Sequence, residues 1–421
     1  MRSRLARLIV LSISITALLA MVAGCSLFSN NSAAELWTDR PELAVYAELY
    51  NAQTDGRKIE IVYKEIPWLS LEHENGHPSL VAGTRLDDSG TIMKFQSLDT
   101  SIRKGKIDPS RFYESLFNMG CISEKCHLLP VSFSLPAVAF KAELGQSLSD
   151  DYIMTYEEMR SLSEEFNVFD ERATHIGYSP RWQSDFIYYL SRLFGADYFQ
   201  SDSGFVTWND AKVQDALAYA SDWIVTTNGG YDAEDAFESK YMYDPLYKLL
   251  DTQRILFSFT RLDRFLSYPT EVRENLDIRW LSDGTKIPVD DDVLFIGIPK
   301  QSKYNKTAEA FLSWLFTYET QVKLLESAQF ERMRFFGIAG GLSSLTAVNT
   351  DAIPRFFPFI LGHVPHENFL DFPERLPVSW ERKRAEVIIP WFSDAISESG
   401  AGETLADTLA QWRLRQPELY R

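Results

Sequence analysis

The strongest constraint on this chain is an alternation of strand-like and helix-like apolar patterns that starts at residue 35. Glu35-Leu36-Trp37 reads as a short strand. Asp39-Arg40-Pro41-Glu42 follows with the spacing of a helix start, an acid three residues before Glu and Pro in the first turn. Leu43, Tyr46, Ala47 and Tyr50 then recur at helical spacing. Residues 58–64 alternate, with Ile59, Ile61 and Tyr63 on one face, and Leu80-Val81-Ala82 before Gly83 reads as a further strand. Strand, helix, strand is a βαβ unit whose crossover is right-handed. Ligands of an open α/β sheet lie beyond the carboxyl ends of its strands. That rule places Trp37, Asp39, Arg40, Thr84 and Arg85 on one rim.

A second series begins near residue 140. Thr155-Tyr-Glu-Glu158 has the pattern of a capping box. Ile176-Gly-Tyr178 reads as a strand; Trp182, Phe186, Tyr189 and Leu193 mark a helix stopped by Gly195, and Val213, Leu217, Ala220 and Ile224 mark another. Residues 255–259 read as a buried strand, so Tyr178, Trp182, Arg261 and Asp263 fall on a second rim. Residues 293–298 read as a strand, 306–327 as one long helix, and 380–397 and 403–414 as two terminal helices. No internal repeat of 20–50 residues is present.

Cys25 ends the run Met21-Val22-Ala23-Gly24-Cys25. Before it lie an apolar stretch over 8–19 and a basic front of Arg2, Arg4 and Arg7. This is the layout of an export signal, not of a fold element, and it is short of the roughly 20 apolar residues of a membrane span. Small residues before a cysteine resemble the bacterial lipobox, with Val22 where Leu is usual. The expectation is a signal peptide over 1–24, cleavage before Cys25, acylation there (palmitate among the lipids), and a tether over 25–34. The protein then works outside the cytoplasm, in the periplasm or at the cell surface, held to a membrane by lipid.

The remainder, about 400 residues, is too long for one ordinary domain and suits two lobes of roughly 150–200 residues. The chain carries a net charge of −17, and losing the three arginines of the signal makes it more acidic. That excludes a nucleic-acid binder, which needs a basic footprint. Once Cys25 is acylated, Cys121 and Cys126 remain; in an oxidising compartment two close thiols are expected to pair, the alternative being a metal role with His127.

Few motifs carry chemistry. His73-Glu74-Asn75-Gly76-His77 matches H-E-x-x-H, which in zinc peptidases needs both histidines on one helix face. Gly76 and Pro78 oppose a helix here, so a solvated loop is the favoured reading and a zinc hydrolase the alternative. Gly341-Leu342-Ser343 starts like G-x-S-x-G, but Leu345 replaces the last glycine. Asp290-Asp291-Asp292 reads as a solvated connection, with ligand or cation binding as the alternative. Trp37, Trp68, Tyr178 and Trp182 stand at strand ends or loops, where a ring could stack on a sugar; core packing is the competing reading.

Several of these stretches together resemble the extracellular solute-binding proteins of ATP-driven importers, in the carbohydrate-binding group that includes maltose-binding protein. They are Leu36-Trp-Thr-Asp-Arg-Pro-Glu42, Pro78-Ser-Leu-Val-Ala-Gly83, the run at 129–140, Phe194-Gly195 with Trp208-Asn209-Asp210, the strand and helix over 293–316, and Gly340-Gly-Leu-Ser-Ser344. Ser79 stands where Asp is common. The resemblance implies an α/β, two-lobe periplasmic-binding-protein fold (type II) with a ligand cleft between the lobes and two to three hinge crossings. Lobe one would be 35–130 with 293–340, lobe two 140–288 with 345–421, and the hinge 131–139, 289–292 and 341–344. It further implies a non-enzymatic monomer without cofactor or metal, which captures a sugar or oligosaccharide and passes it to ABC permease subunits. A sensory or scaffolding lipoprotein of the same fold is the alternative. Ser132 and Phe133 from the hinge and Gly341 and Ser343 from the last crossing complete the expected ligand set.

Overall fold

The structure is a computed structural model that describes residues 33–150, 152–170 and 172–416. The signal segment, Cys25 and the tether as far as residue 32 lie outside the described residues.

Two sheets organise the chain. In the first, Ala34–Thr38 runs parallel to both Ile59–Tyr63 and Leu80–Thr84, with Leu36 opposite Ile61 on one side and Leu80 on the other. A strand paired on both edges and covered on both faces must be apolar throughout, and Leu80–Thr84 and Leu128–Phe133 are buried at every position. Leu294–Gly297 lies antiparallel between those two strands, and Leu342–Ser343 pairs with the outer edge of Leu128–Phe133. The connecting helix Glu42–Gln53 buries Leu43, Tyr46, Ala47 and Tyr50, the residues its spacing selects. No side chain caps its start; the Asp39 carboxylate stands 3.6 Å from Arg40 instead. The second sheet has the order Ser258–Arg261, Pro136–Lys141, Leu276–Ser282, Ile153–Thr155.

The chain passes between the sheets where the strands leave no room to turn back. Leu128–Phe133 ends in the first sheet, and after Ser134 and Leu135 the strand Pro136–Lys141 is already in the second. The return runs from Leu276–Ser282 through Ile287–Pro288 and the three aspartates to Leu294–Gly297. The last passage falls later than 341–344. After Leu342–Ser343, residues 348–356 still pack on the helix Tyr318–Phe330. Leu370–Asp371 then pairs with Ile287–Pro288, and Leu376 and Trp380 enter the second core. The physical reason is apolar: Val348, Ala352 and Ile353 are fully buried where they are.

Two expected helices differ. The stretch 306–327 is broken into Asn305–Leu315 and Tyr318–Phe330, because the Thr317 hydroxyl accepts the Thr320 N–H at 3.2 Å and starts a new helix. The first terminal helix meets Pro390, which has no N–H to give; a wide π-turn over Arg384–Ile388 absorbs the defect before Ile389–Ala395.

Cys121 and Cys126 are joined by a disulfide across the ribbon Cys121–Ile122 and Lys125–Cys126. The turn between them holds Ser123 at φ 50° and Glu124 at φ 62°, a left-handed pair that favours Asn-Gly. The covalent link therefore holds a turn that the side chains resist. Cys121→Ser with Cys126→Ser is expected to cost about 2 kcal/mol in urea unfolding, from the loop-closure relation for so short a loop. Adding Ser123→Asn and Glu124→Gly is expected to restore part of the loss; no restoration would show that the turn is not the strained element.

Candidate functional site

The aspartate run is the centre of the inter-sheet passage, not a solvated connection. Asp290 is 0% and Asp291 1% exposed. Carboxylates can be buried only when cations and hydrogen-bond donors replace water, and three segments supply them. Arg261, at the end of Ser258–Arg261, reaches Asp290 at 2.5 Å and Asp292 at 2.9 Å. Arg384, from the terminal helix, reaches Asp290 at 3.2 Å and pairs with Asp291. Trp380, one turn earlier, donates its indole N–H to Asp291, and Tyr188 of the helix Ser184–Leu193 donates its hydroxyl to Asp291 at 2.9 Å. The Asp290 N–H donates to the Ser134 carbonyl, which ties the return passage to the outward one.

The three carboxyls do not titrate alike. Burial and the neighbouring Asp292 charge push Asp290 up to about 6 despite Arg261 and Arg384. Burial opposes ionisation of Asp291 too, but the guanidiniums of Arg384 and Arg85 and the Trp380 donor outweigh it, so Asp291 is held below the usual carboxylate range. Asp292 is also lowered, burial being outweighed by Arg261, Arg384 and Arg40.

The first-sheet rim closes over this network. Arg85 follows its strand at φ 59°, a left-handed conformation costly for arginine, and is 2% exposed. Its Nη1 and Nη2 atoms and both Asp87 oxygens lack hydrogen-bond partners among the described residues, although the Arg85 charge acts on Asp87 and Asp291. Thr84 donates to Glu381 at 3.3 Å, and Asp88 and Ser89 engage Gln200 at 2.6 and 2.7 Å. Burial raises the Asp39 carboxyl, and Glu381 adds to the rise.

The structure thus brings Asp39, Arg40, Thr84, Arg85 and Arg261 to one place; Asp263 stands 3.7 Å from Arg261 with its side chain largely exposed. The remaining expected residues lie in the framework. Trp37 is buried, its indole N–H on Glu35, its ring under Lys64 and filling the space a Cβ at Gly76 would need. Ser132 is paired opposite Leu294 and Ser343. Phe133 packs against Tyr113 and Phe372, and a Cβ at Gly341 would meet its carbonyl at 2.5 Å. Ser343 is buried and donates to Gln321. Tyr178 is enclosed by Trp182, Phe186 and Trp223, and Trp182 stacks on Phe237.

Sequence reasoning passed over Tyr188, Arg192, Gln200, Trp380, Glu381 and Arg384. One signal was available: three adjacent aspartates before a buried strand call for cations from elsewhere in the chain. Beside the network opens a cavity of about 480 Å³, lined by Tyr188, Arg192, Tyr198, Phe199, Asp371 and Phe372 among others. Tyr188 belongs to both. The cavity combines aromatic faces with hydrogen-bonding groups, and its size lies within the range of small-molecule sites.

The H-E-x-x-H string lacks its geometry. The helix Pro67–His73 ends at the first histidine, Glu74 is extended and ion-paired with Lys64, and the histidines do not share a helix face. No group of three His, Cys, Asp or Glu residues among the described ones could hold a metal ion.

No protein-family model matches the chain, and no curated protein matches it. Solved structures do. A sugar-binding protein MalE from Xanthomonas citri superposes with a TM-score of 0.62 at 11% identity, over 92% of this chain and 97% of that one. An ABC substrate-binding protein from Listeria monocytogenes in complex with cycloalternan gives 0.60 at 12% identity over 91% and 98%. A cyclic α-maltosyl-1,6-maltose-binding protein from Arthrobacter globiformis gives 0.60 at 13% over 92% and 98%. The chain has the two-lobe periplasmic-binding-protein fold of these MalE-like proteins.

The pH response of the network follows from the opposed shifts. Asp290 is raised from 3.8 to about 6, so the stability it contributes is full below its unfolded value and is lost as pH rises through about 6. Asp291 and Asp292 are lowered, so theirs is full above the unfolded value and is lost on acidification below it. Asp290→Asn is therefore expected to raise the melting temperature at pH 7.5, to raise it by a smaller amount near pH 5, and to leave it almost unchanged at pH 4. Asp291→Asn is expected to cost about 3 kcal/mol at pH 7 by stranding Arg384. Circular-dichroism melts from pH 4 to 8 read both; equal losses in the two variants at pH 7.5 would refute the assignment.

Proposed function

We propose that this protein is a lipid-anchored solute receptor of an ABC importer, which captures a sugar or oligosaccharide between its lobes and presents it to membrane permease subunits as a monomer. The observation that carries the reading is the fold match, which runs over more than nine-tenths of the chain to proteins that bind cycloalternan and cyclic α-maltosyl-1,6-maltose. The cavity beside the aspartate network supports it chemically. Tyr198, Phe199 and Phe372 offer flat apolar faces, and Arg192, Asp371 and Lys286 offer donors and acceptors for hydroxyls. Asp39, Arg40, Thr84, Arg85 and Arg261 face the same passage from both rims. A solute touching both lobes favours the closed form by its difference in affinity between the two states, and only by that difference.

Cys25 would carry the lipid. No described helix is long and apolar enough to cross a membrane. The stretch between Cys25 and the first strand, which starts at Ala34, would tether the receptor and so keep it at high effective concentration beside its permease. The zinc-hydrolase alternative has no helix to hold its histidines. A second reading, a sensory or scaffolding lipoprotein of this fold, is favoured by one observation: the Arg–Asp network spans the passage with protein groups alone.

Thermal shift against mono- and oligosaccharides tests the choice. A true ligand at 100 times its dissociation constant adds about 2.7 kcal/mol of stability, and Phe199→Ala, at a half-exposed ring, is expected to weaken binding about tenfold through lost stacking. A full panel without a shift would sink the receptor reading in favour of the second. Separately, Cys25→Ser is expected to move the protein from the membrane fraction to the aqueous one.

A further inference from the structure

A second cavity, of about 700 Å³, opens away from the aspartate passage, and none of the residues assigned to the solute lines it. One wall is the segment 266–273, which joins two strands of the second sheet. The other is formed by 333–335 and 356–359, which follow the helix Tyr318–Phe330 and the turns packed on it. The cavity therefore spans both lobes. Its floor is a run of aromatic contacts that crosses from one to the other: Phe359 lies 5.5 Å from Phe265 and 6.2 Å from Phe336, and Phe336 lies 4.8 Å from Phe357.

The walls have a specific chemistry. Tyr268, Phe335, Phe357 and Phe359 supply aromatic surface, and the charged residues lining the cavity are Arg273 and Arg334. No carboxylate lies within 4.0 Å of either guanidinium among the described residues. Arg273 donates one N–H to the Leu266 carbonyl at 2.7 Å, which fixes its position without neutralising it. Two positive charges thus border a patch of rings in a chain of net charge −17. An anion with a flat apolar body meets both features at once: the rings take the body, and the guanidiniums take the charged end. A neutral sugar would gain nothing from the two positive charges, and a cation would be repelled.

We propose that this interlobe cavity is a second ligand site, selective for a small amphipathic anion: an aromatic or otherwise flat apolar body that bears a carboxylate, sulfonate or phosphate. The proposal does not rest on the solute reading. Because the occupant touches both lobes, its binding is linked to their relative position by whatever difference in affinity the open and closed forms have for it.

The test uses the intact mature chain and 1-anilinonaphthalene-8-sulfonate, whose fluorescence rises in apolar surroundings. The expected result is one saturable site, weakened about tenfold by Arg334→Glu and less by Arg334→Gln, while the uncharged N-phenyl-1-naphthylamine binds about tenfold more weakly than the sulfonate. Arg334 is exposed, and near-UV circular dichroism checks that the variants keep the fold. Unsaturable binding, equal affinity of Arg334→Glu and the parent, or equal affinity for the neutral probe would each overturn the proposal. Saccharide titration reads the other site independently, so the two proposals fail separately.

Discussion

The structure depends on keeping Asp290 and Asp291 charged or hydrogen-bonded away from water. Neither could be buried by its own segment. Arg261 comes from a strand end, Arg384 and Trp380 from the terminal helix, and Tyr188 from a helix nearly two hundred residues earlier in the chain than Arg384. Removing Asp291, whose charge the network stabilises, strands Arg384 and costs about 3 kcal/mol, whereas replacing the whole cluster by apolar groups can be neutral. The network is therefore weak evidence of stability and strong evidence of positioning. It fixes where four segments meet, and they meet where the chain passes between its sheets.

Stiffness at this point contrasts with what joins the rims. Thr84 to Glu381 and Asp88 to Gln200 are single hydrogen bonds, and Ser89 gives two to Gln200, all at part-exposed positions. Each contributes about 0.5–1.5 kcal/mol, because water competes for the same groups. A solute that offers hydroxyls to the same atoms exchanges one set of such bonds for another at small net cost. The passage is thus held more firmly than the rims on either side of it.

The sequence made the scaffold legible and the site much less so. Apolar periodicity names the buried face of Glu42–Gln53 and the strands beside it because each pattern is local. The left-handed turn at Ser123 and Glu124 leaves no such trace, nor does the break at Thr317, where a hydroxyl competes with helix continuation. The three aspartates show the limit most clearly. Charge in sequence signals solvent on average, and only the folded chain shows Arg261 and Arg384 arriving from elsewhere. Tyr178 and Trp182 err the other way: strand-end position made them ligand candidates, while ring contacts place them in an aromatic core whose members are spread over more than forty residues.

The charge balance at the passage bears on what can enter it. Arg40, Arg85, Arg192, Arg261 and Arg384 are set against Asp39, Asp87, Asp290, Asp291, Asp292 and Glu381. Burial raises Asp290 to about 6 and also raises Asp39 and Asp87, while the arginines are already engaged with carboxylates of the passage. A charged solute would have to break an existing ion pair to find its counter-charge, losing about as much as it gained in a buried setting. An uncharged polyol needs no such exchange. Its hydroxyls both donate and accept, as the lone pairs of Asp87 and the N–H groups of Arg85 that lack partners among the described residues require. Arginines already engaged by carboxylates, combined with unused hydrogen-bonding capacity, make hydroxyl recognition the chemistry that this passage offers at least cost.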